Sequence, residues 1–572
     1  MIPIKKGSVT LFGKAKIEKE DVKPLSTEER SKNRTRKFIM IGLALGMLVS
    51  SLDQTVVGTS LPRIVGDLGG MSMFAWLFTA YMLGEALAIP IAGKMSDRYG
   101  RKPIFLVGMG LFLAGSILAG MSNSMEMLIG CRAIQGIGGG VIMPVAMATV
   151  ADLYAPTERG KIQGMMGGIF AIASVIGPFL GGFIVDNLDW RWVFYVNLPV
   201  GILAIAVTSM KFPNQESDTS KHIDYTGMVA MAATLTPALL VMTWGGSTYA
   251  WDSIEIIGMT VLSVVSLIAF ILNERRVEDP ILPLHLFKEP IFTLGSMGLL
   301  IMSMGLFGVI AFLPLFLQSV IGMSATSSGE TLIPLMIGVM ITILASGFLL
   351  KRTGYKVWLI IGPPLSAFGL FMLSTLHQGS PQTDAIIYLI ITGAGLGAVM
   401  SNYMVAAQNV VNKKEMGAMT SSMTLFRSLG GTIGVTILGA IVNNQMVGEL
   451  SKNKPLDGSV LPATADVNSL GQYLLNPLAA QFAHITPAGL DAIRLSLSNS
   501  ITYMFLIGAV IVLCALVTSV FVKSVPLKSA DQYHEREEKS NEPVKGVISP
   551  EVLSAEVVVT IELPSPGKLE KR

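Results

Sequence analysis

Charge is scarce in this chain. Only 14% of its 572 residues are Asp, Glu, Lys or Arg, while 51% are hydrophobic. A soluble domain carries about 25% charged residues. That deficit, with a mean hydropathy of +0.59, places most of the chain in lipid. Cysteine is nearly absent: Cys131 and Cys514 both lie in apolar runs, which leaves no disulfide framework and no thiolate metal set. Five histidines without an H-E-x-x-H pattern leave no zinc hydrolase, and the lack of a G-x-x-x-x-G-K-[ST] loop leaves no ATP-driven pump. A net charge of +3 gives no global field for nucleic acid. No cofactor or metal is expected. A polar stretch of 37 residues precedes the first apolar run and no small-residue cleavage site follows it. That run is expected to stay as a span, not to leave as a signal peptide.

What the chain has is apolar runs. A spanning helix needs about 20 apolar residues, and fourteen stretches qualify: 38–60, 75–93, 103–121, 127–151, 162–184, 193–211, 225–243, 253–272, 291–317, 331–350, 357–375, 385–409, 420–443 and 499–522. The fold expected is an all-α polytopic membrane protein, with cytoplasmic tails at 1–37 and 524–572 and an external loop at 444–498. The even-numbered loops hold Lys94, Arg98, Arg101, Lys102, Arg159, Lys161, Lys221, Arg275, Arg276, Lys288, Lys351, Arg352, Lys356, Lys413 and Lys414, whereas the opposite short loops hold only Arg63 and Arg191. By the positive-inside rule both termini are cytoplasmic, and Trp190 and Trp192 lie at the outer interface, where such rings anchor.

The chain also repeats itself. Gly93-Lys-Met-Ser-Asp97-Arg98-Tyr-Gly100-Arg101-Lys102 between spans 2 and 3 matches Gly347-Phe-Leu-Leu-Lys351-Arg352-Thr-Gly354-Tyr-Lys356 between spans 10 and 11. Gly136, Gly138 and Gly140 in span 4 match Gly393, Gly395 and Gly397 in span 12. Spans 1–6 (residues 38–212) thus correspond to spans 9–14 (residues 291–523), and 213–290 holds two inserted helices with a linker. Two parallel six-helix repeats are one architecture of secondary transporters.

These residues carry a family resemblance. Gly93–Lys102 resembles the signature loop of the major facilitator superfamily. Leu128 to Gly136, with Arg132 and Gln135, is similar to its helix 4 motif, and Gly177-Pro178-Phe-Leu-Gly181-Gly182 to its antiporter motif. Leu52-Asp53 through Pro62, and Trp190-Arg191-Trp192 through Asn197-Leu-Pro199-Val-Gly201, are similar to the fourteen-span drug:proton antiporters. The resemblance covers roughly residues 38–523. It implies efflux of drugs or other amphipathic small molecules in exchange for protons, at the cell membrane, by a chain acting alone. The same scaffold would also serve a narrow exporter of one antibiotic, lipid or siderophore, or a receptor that does not transport. Lys351 stands where the first loop has Asp97, so the second half is not expected to form an equivalent lock.

Charged groups inside spans cost about 2.5–3.5 kcal/mol each on insertion scales and are functional candidates by default. Asp53 lies about 15 residues into span 1, roughly 22 Å from the inner face at about 1.5 Å per residue. Arg132 lies about five residues into span 4 from the opposite side, so both sit roughly 8 Å below the outer face of a ~30 Å core and can pair. A carboxyl whose hydration changes as a cavity opens in or out takes up and releases a proton. Asp53 and Arg132 are therefore the expected coupling pair, with Glu85, near the middle of span 2, as a second proton site or a partner for cationic substrates. Gln135 and Arg427 are candidate cavity residues, and for Arg427 snorkelling to the interface is the competing expectation. Asp97, Arg98, Arg101 and Lys102, with Gly93 and Gly100, are expected to hold the cytoplasmic side closed. Gly177 and Pro178 are expected to weaken or bend span 5.

Overall fold

The computed structural model describes residues 27–154, 156–212, 224–245, 249–277, 280–411, 415–452, 474 and 486–526. Most of the N-terminal tail, the C-terminal tail from 527, Lys221, Lys413, Lys414 and most of 453–485 lie outside the described residues. So do the side chains of Arg159, Lys161 and Lys351.

Fourteen helices among the described residues are long and apolar enough to cross a membrane. They are α1 (Arg34–Leu68), α2 (Met71–Tyr99), α3 (Arg101–Gly120), α4 (Met125–Val150), α5 (Met165–Asn187), α6 (Trp192–Met210), α7 (Tyr225–Met242), α8 (Ile254–Glu274), α9 (Pro290–Ile321), α10 (Ala325–Leu350), α11 (Arg352–Leu373), α12 (Gln382–Val410), α13 (Met416–Leu450) and α14 (Pro487–Phe521). Lipid offers the backbone no hydrogen-bond partner, so each run satisfies itself as a helix. Polar residues set the starts. The side chains of Ser124, Asp224, Ser253, Ser324 and Thr486 accept first-turn N–H groups of α4, α7, α8, α10 and α14.

The last two spans outrun the sequence expectation. Their helices cover Met416–Lys452 and Pro487–Phe521, so the segment expected as a loop from 444 to 498 is helical at both ends. The apolar signal stops at the lipid boundary, but polar contacts carry the helices on. Glu449 accepts from Lys452 Nζ at 2.8 Å and from Asn499 Nδ2 at 2.8 Å, clasping α13 to α14. Trp190 also differs from expectation. It is buried and donates to Asp67 at 2.9 Å, because the turn before α6 folds onto the end of α1. Trp192 is 52% exposed, as an interfacial ring would be.

The repeat is visible in backbone contacts. A Cβ added at Gly136 would meet the Tyr81 carbonyl, and one at Gly393 the Leu335 carbonyl; Gly140 faces Glu85 as Gly397 faces Val339. Gly100 (φ 91°) and Gly354 (φ 67°) make the same left-handed break between α2 and α3 and between α10 and α11, a conformation open to glycine without strain. Gly354 thus separates two spans that otherwise run together from Ala325 to Leu373.

Helices α1–α6 form one half and α9–α14 the other, and α2 packs against α13, α5 against α10, and α1 against α9. The inserted α7 and α8 pair with each other, with Ser263 donating to the Thr234 carbonyl at 2.9 Å. Their buried Met228, Met231 and Phe270, with Ile281 of the linker, close over Leu87 and Ile91 of α2. α9 is the most enclosed span and α8 the most exposed, with Ile254, Val261, Val265 and Ile268 all more than half exposed. Such a surface suits lipid.

Candidate functional site

Asp53 of α1 sits at the centre of a buried polar network. Arg132 Nη1 donates to Asp53 Oδ2 at 2.5 Å and to Gln135 Oε1 at 2.6 Å. Gln135 Nε2 donates to Asp53 Oδ1 and to Ser116 Oγ, both at 2.7 Å. Asn197 Nδ2 reaches the same Asp53 oxygen at 2.9 Å and Ser116 at 3.2 Å. Arg132 Nε donates to the Leu77 carbonyl at 3.3 Å, and its guanidinium lies 4.3 Å from the Tyr81 ring centroid. Asp53, Arg132, Gln135 and Ser116 are wholly buried. Five helices (α1, α2, α3, α4 and α6) thus share one network, in which the carboxylate faces three donors from α4 and α6. The network keeps two open ends: Arg132 Nη2 and Asn197 Oδ1 are buried with no hydrogen-bond partner.

The sequence placed Asp53 and Arg132 at one depth, and the structure pairs them. Gln135, read as a cavity residue, is instead the bridge between them. Asn197, Ser116 and Tyr81 were missed. Asn197 lay within a motif already quoted, and an Asn inside an apolar run was the signal for it. Ser116 and Tyr81 are ordinary residues of transmembrane helices, and nothing in the sequence singled them out.

A second carboxylate lies where the halves meet. Glu85 of α2 accepts from Gln54 Nε2 of α1 at 3.2 Å and from Ser428 Oγ of α13 at 3.5 Å. Arg427, half-buried, adjoins Ser428 on the same helix.

The signature loop forms a clamp inside the N-terminal half. Arg101 pairs with Asp97 and with Asp152 (2.9 Å), at the end of the α4 helix, and also donates to Ser96 Oγ at 2.6 Å. Ser96 donates in turn to the Gly93 carbonyl at 2.8 Å. Arg98 packs its guanidinium 5.7 Å from the Tyr99 ring and leaves Nε buried and unpartnered. Lys102 is half-buried. The sequence suggested residues that close one side of the protein; the contacts of Arg101 tie α2 and α3 to α4.

The Gly-Pro motif of α5 has two working faces. Gly177 abuts Thr55 of α1, and Gly181 abuts Val56 and Thr59. Gly182 abuts the backbone of Ala325 and Thr326, and the Pro178 carbonyl abuts Gly329, both on α10. The helix containing them runs unbroken from Pro156 to Asn187. The motif therefore lets α5 press α1 on one side and the opposite half on the other.

Comparison with known proteins gives a consistent result. The family profile described as Major Facilitator Superfamily matches residues 43–435. The multidrug transporter protein MdtP of Bacillus subtilis (strain 168) is 38% identical over 545 residues, covering 92% of this chain and 100% of that protein. Multidrug resistance protein 3 of the same organism is 35% identical over 501 residues, covering 87% and 97%. Among solved structures, a bacterial homolog of the human lysosomal transporter Spinster, inward-facing and unoccupied, superposes with a TM-score of 0.59 at 18% identity, covering 86% of this chain and 99% of that one. A D-xylose-proton symporter gives a TM-score of 0.54 at 14% identity, covering 80% and 99%.

Proposed function

The chain belongs to the major facilitator superfamily, and from that premise we propose that it exports amphipathic drugs in exchange for protons by alternating access. It is a multi-pass membrane transporter of small molecules and not an enzyme. The observation that carries the proton reading is the Asp53 network: a fully buried carboxylate with a guanidinium at 2.5 Å, bridged across five helices. An ion pair out of water is costly to form and costly to break, and such a pair in a transporter marks a coupling path. Asp53 exchanges Arg132 for a proton when the helices around it part. Glu85, bound to both α1 and α13, changes partners in the same movement and takes a second proton or the cationic group of a substrate. The multidrug names of the two Bacillus subtilis relatives support the substrate class.

Three hydrogen bonds that join the halves among the described residues lie toward the end where α1 finishes, which the charge bias assigns to the outside. They are Gln318 to the Thr59 carbonyl (2.8 Å), Asn443 to the Ser72 carbonyl (3.1 Å), and Thr79 with Thr436 (2.9 Å). We read this as the state closed to the outside, in which both termini are cytoplasmic and substrate arrives from within.

Everted membrane vesicles energised to an acid interior test the proposal. Adding a lipophilic cation such as ethidium releases interior protons through the wild type and not through Asp53→Asn. No proton release across a broad panel of cationic drugs would overturn the multidrug reading and point to a narrow exporter or a receptor.

A further inference from the structure

We propose that Asp186 is the latch of the outer gate, holding the two halves together by capping from the N-terminal half a helix that belongs to the C-terminal half. Asp186 lies on the exposed last turn of α5. Its Oδ1 accepts the backbone N–H of Ala325 at 3.1 Å, and its Oδ2 accepts the N–H of Thr326 at 2.7 Å and the Thr326 hydroxyl at 2.5 Å. Ala325 and Thr326 open α10, where N–H groups have no partner within the helix and a negative charge is favoured. The bonds to the carboxylate are charge-assisted, and so stronger than neutral ones.

Two features separate a latch from a plain helix cap. First, α10 already has its own cap, since Ser324 Oγ accepts the Ser327 N–H at 3.1 Å; Asp186 is not needed to start the helix. Second, the backbones of α5 and α10 already touch below it, at Gly182 with Ala325 and at Pro178 with Gly329. Asp186 adds polar bonds at the rim of that seam. Every one of them must break before the halves can part at this end. The carboxylate is exposed, so water replaces its partners on release. That makes the latch easy to release, whereas the buried Asp53 pair is costly to break.

This inference rests on the alternating-access reading, and its test can fail independently of it. The full chain is purified into lipid nanodiscs with Cys131→Ser and Cys514→Ala. Nitroxides are placed through Asn123→Cys and Gln378→Cys, exposed turn positions at the outer ends of the two halves. Pulsed electron paramagnetic resonance measures the distance between them without substrate or gradient. Asp186→Ala should raise the ratio of long to short distances roughly five- to tenfold, as expected for the loss of charge-assisted bonds. Thr326→Val, which removes only the hydroxyl, should raise it less, and Asp186→Asn, which keeps an acceptor oxygen, should fall between wild type and Asp186→Ala. Unchanged distances in Asp186→Ala and Thr326→Val overturn the latch. So does a loosened start of α10 without any long-distance population, which would make Asp186 a cap only. A wild type that moves no drug, with Asp186→Ala still opening, would refute the efflux reading and leave the latch standing.

Discussion

At the scale of single residues, the guanidinium of Arg132 is the group that lysine cannot replace. It meets Asp53, Gln135 and the Leu77 carbonyl and lies over the Tyr81 ring. A lysine keeps the charge but offers a single point donor with no plane. Arg132→Lys therefore loses bonds in a site without exposed atoms, each worth about 1–3 kcal/mol when the partner is left buried. Proton-coupled ethidium transport should fall at least tenfold, and thermal unfolding in detergent should shift down by several degrees. Transport at the wild-type rate would remove Arg132 from the coupling path. Asn197→Ala tests the residue that the sequence did not single out. It strips one of three donors from Asp53 and is expected to alter the pH dependence of transport, with the cavity charge unchanged; an unchanged profile would make Asn197 a packing residue. The sequence revealed the charged members of this site because charge in lipid is rare enough to stand out. It hid Ser116 and Tyr81 because hydroxyl groups in membrane helices bond freely to their own backbone, as Thr149 does to the Val145 carbonyl at 2.8 Å. Only the fold shows which hydroxyl faces a carboxylate.

At the scale of helices, small residues decide which spans touch. The glycines of α4 and α12 were legible as matched positions, but the match alone could not tell contact from coincidence. The structure can: Gly84 faces the Ala133 carbonyl in one half as Gly338 faces the Ile390 carbonyl in the other, with Gly136 and Gly393 repeating the correspondence on the partner helix. Gly136→Ala and Gly130→Ala make a controlled pair on one helix. The first pushes a methyl group into the backbone of α2, which cannot rotate away, and should cost about 1–3 kcal/mol. The second has open space around it and should be neutral or better by up to about 1 kcal/mol, as alanine favours helix. Thermal unfolding of the two variants reads the difference, and equal melting would mean that α2 and α4 do not rely on this contact. The same correspondence sets limits on the repeat. In step with Gly136 and Gly393, Arg132 falls on Leu389 and Gln135 on Thr392, and Leu389 is fully buried. The packing frame is shared by the two halves, while the Arg132 and Gln135 positions have no polar-charged counterpart pair at Leu389 and Thr392. The helix ends of α13 and α14 stayed hidden from the sequence for a different reason. Hydropathy marks where lipid stops, whereas the Glu449 clasp lies near the end of α13 and the Thr486 cap starts α14.

At the scale of the whole molecule, alternating access requires that contacts joining the halves at one end be exclusive with contacts at the other. Thr79 and Thr436 give the cleanest handle on that requirement. Their hydroxyl oxygens lie 2.9 Å apart across the α2–α13 seam, and both residues are buried. Side chains that meet at that distance bring their Cα atoms near the separation of a disulfide, about 4.4–6.8 Å. Thr79→Cys with Thr436→Cys, in a chain without Cys131 and Cys514, should therefore crosslink under copper phenanthroline. The bridge fixes this end shut, so one full turn of the transport cycle becomes impossible. Proton-driven ethidium efflux should drop to the level of empty vesicles, return on adding dithiothreitol, and stay normal in either single-cysteine chain. Equilibrium binding of ethidium to the crosslinked protein in detergent should persist, because the other end is free to admit it. The combination distinguishes a trapped conformation from a damaged one: damage would abolish binding as well, and reduction would not repair it. A crosslinked protein that transports at the normal rate would mean that the α2–α13 seam does not open during the cycle, and the rocking of the two halves would have to be abandoned for a movement elsewhere in the bundle.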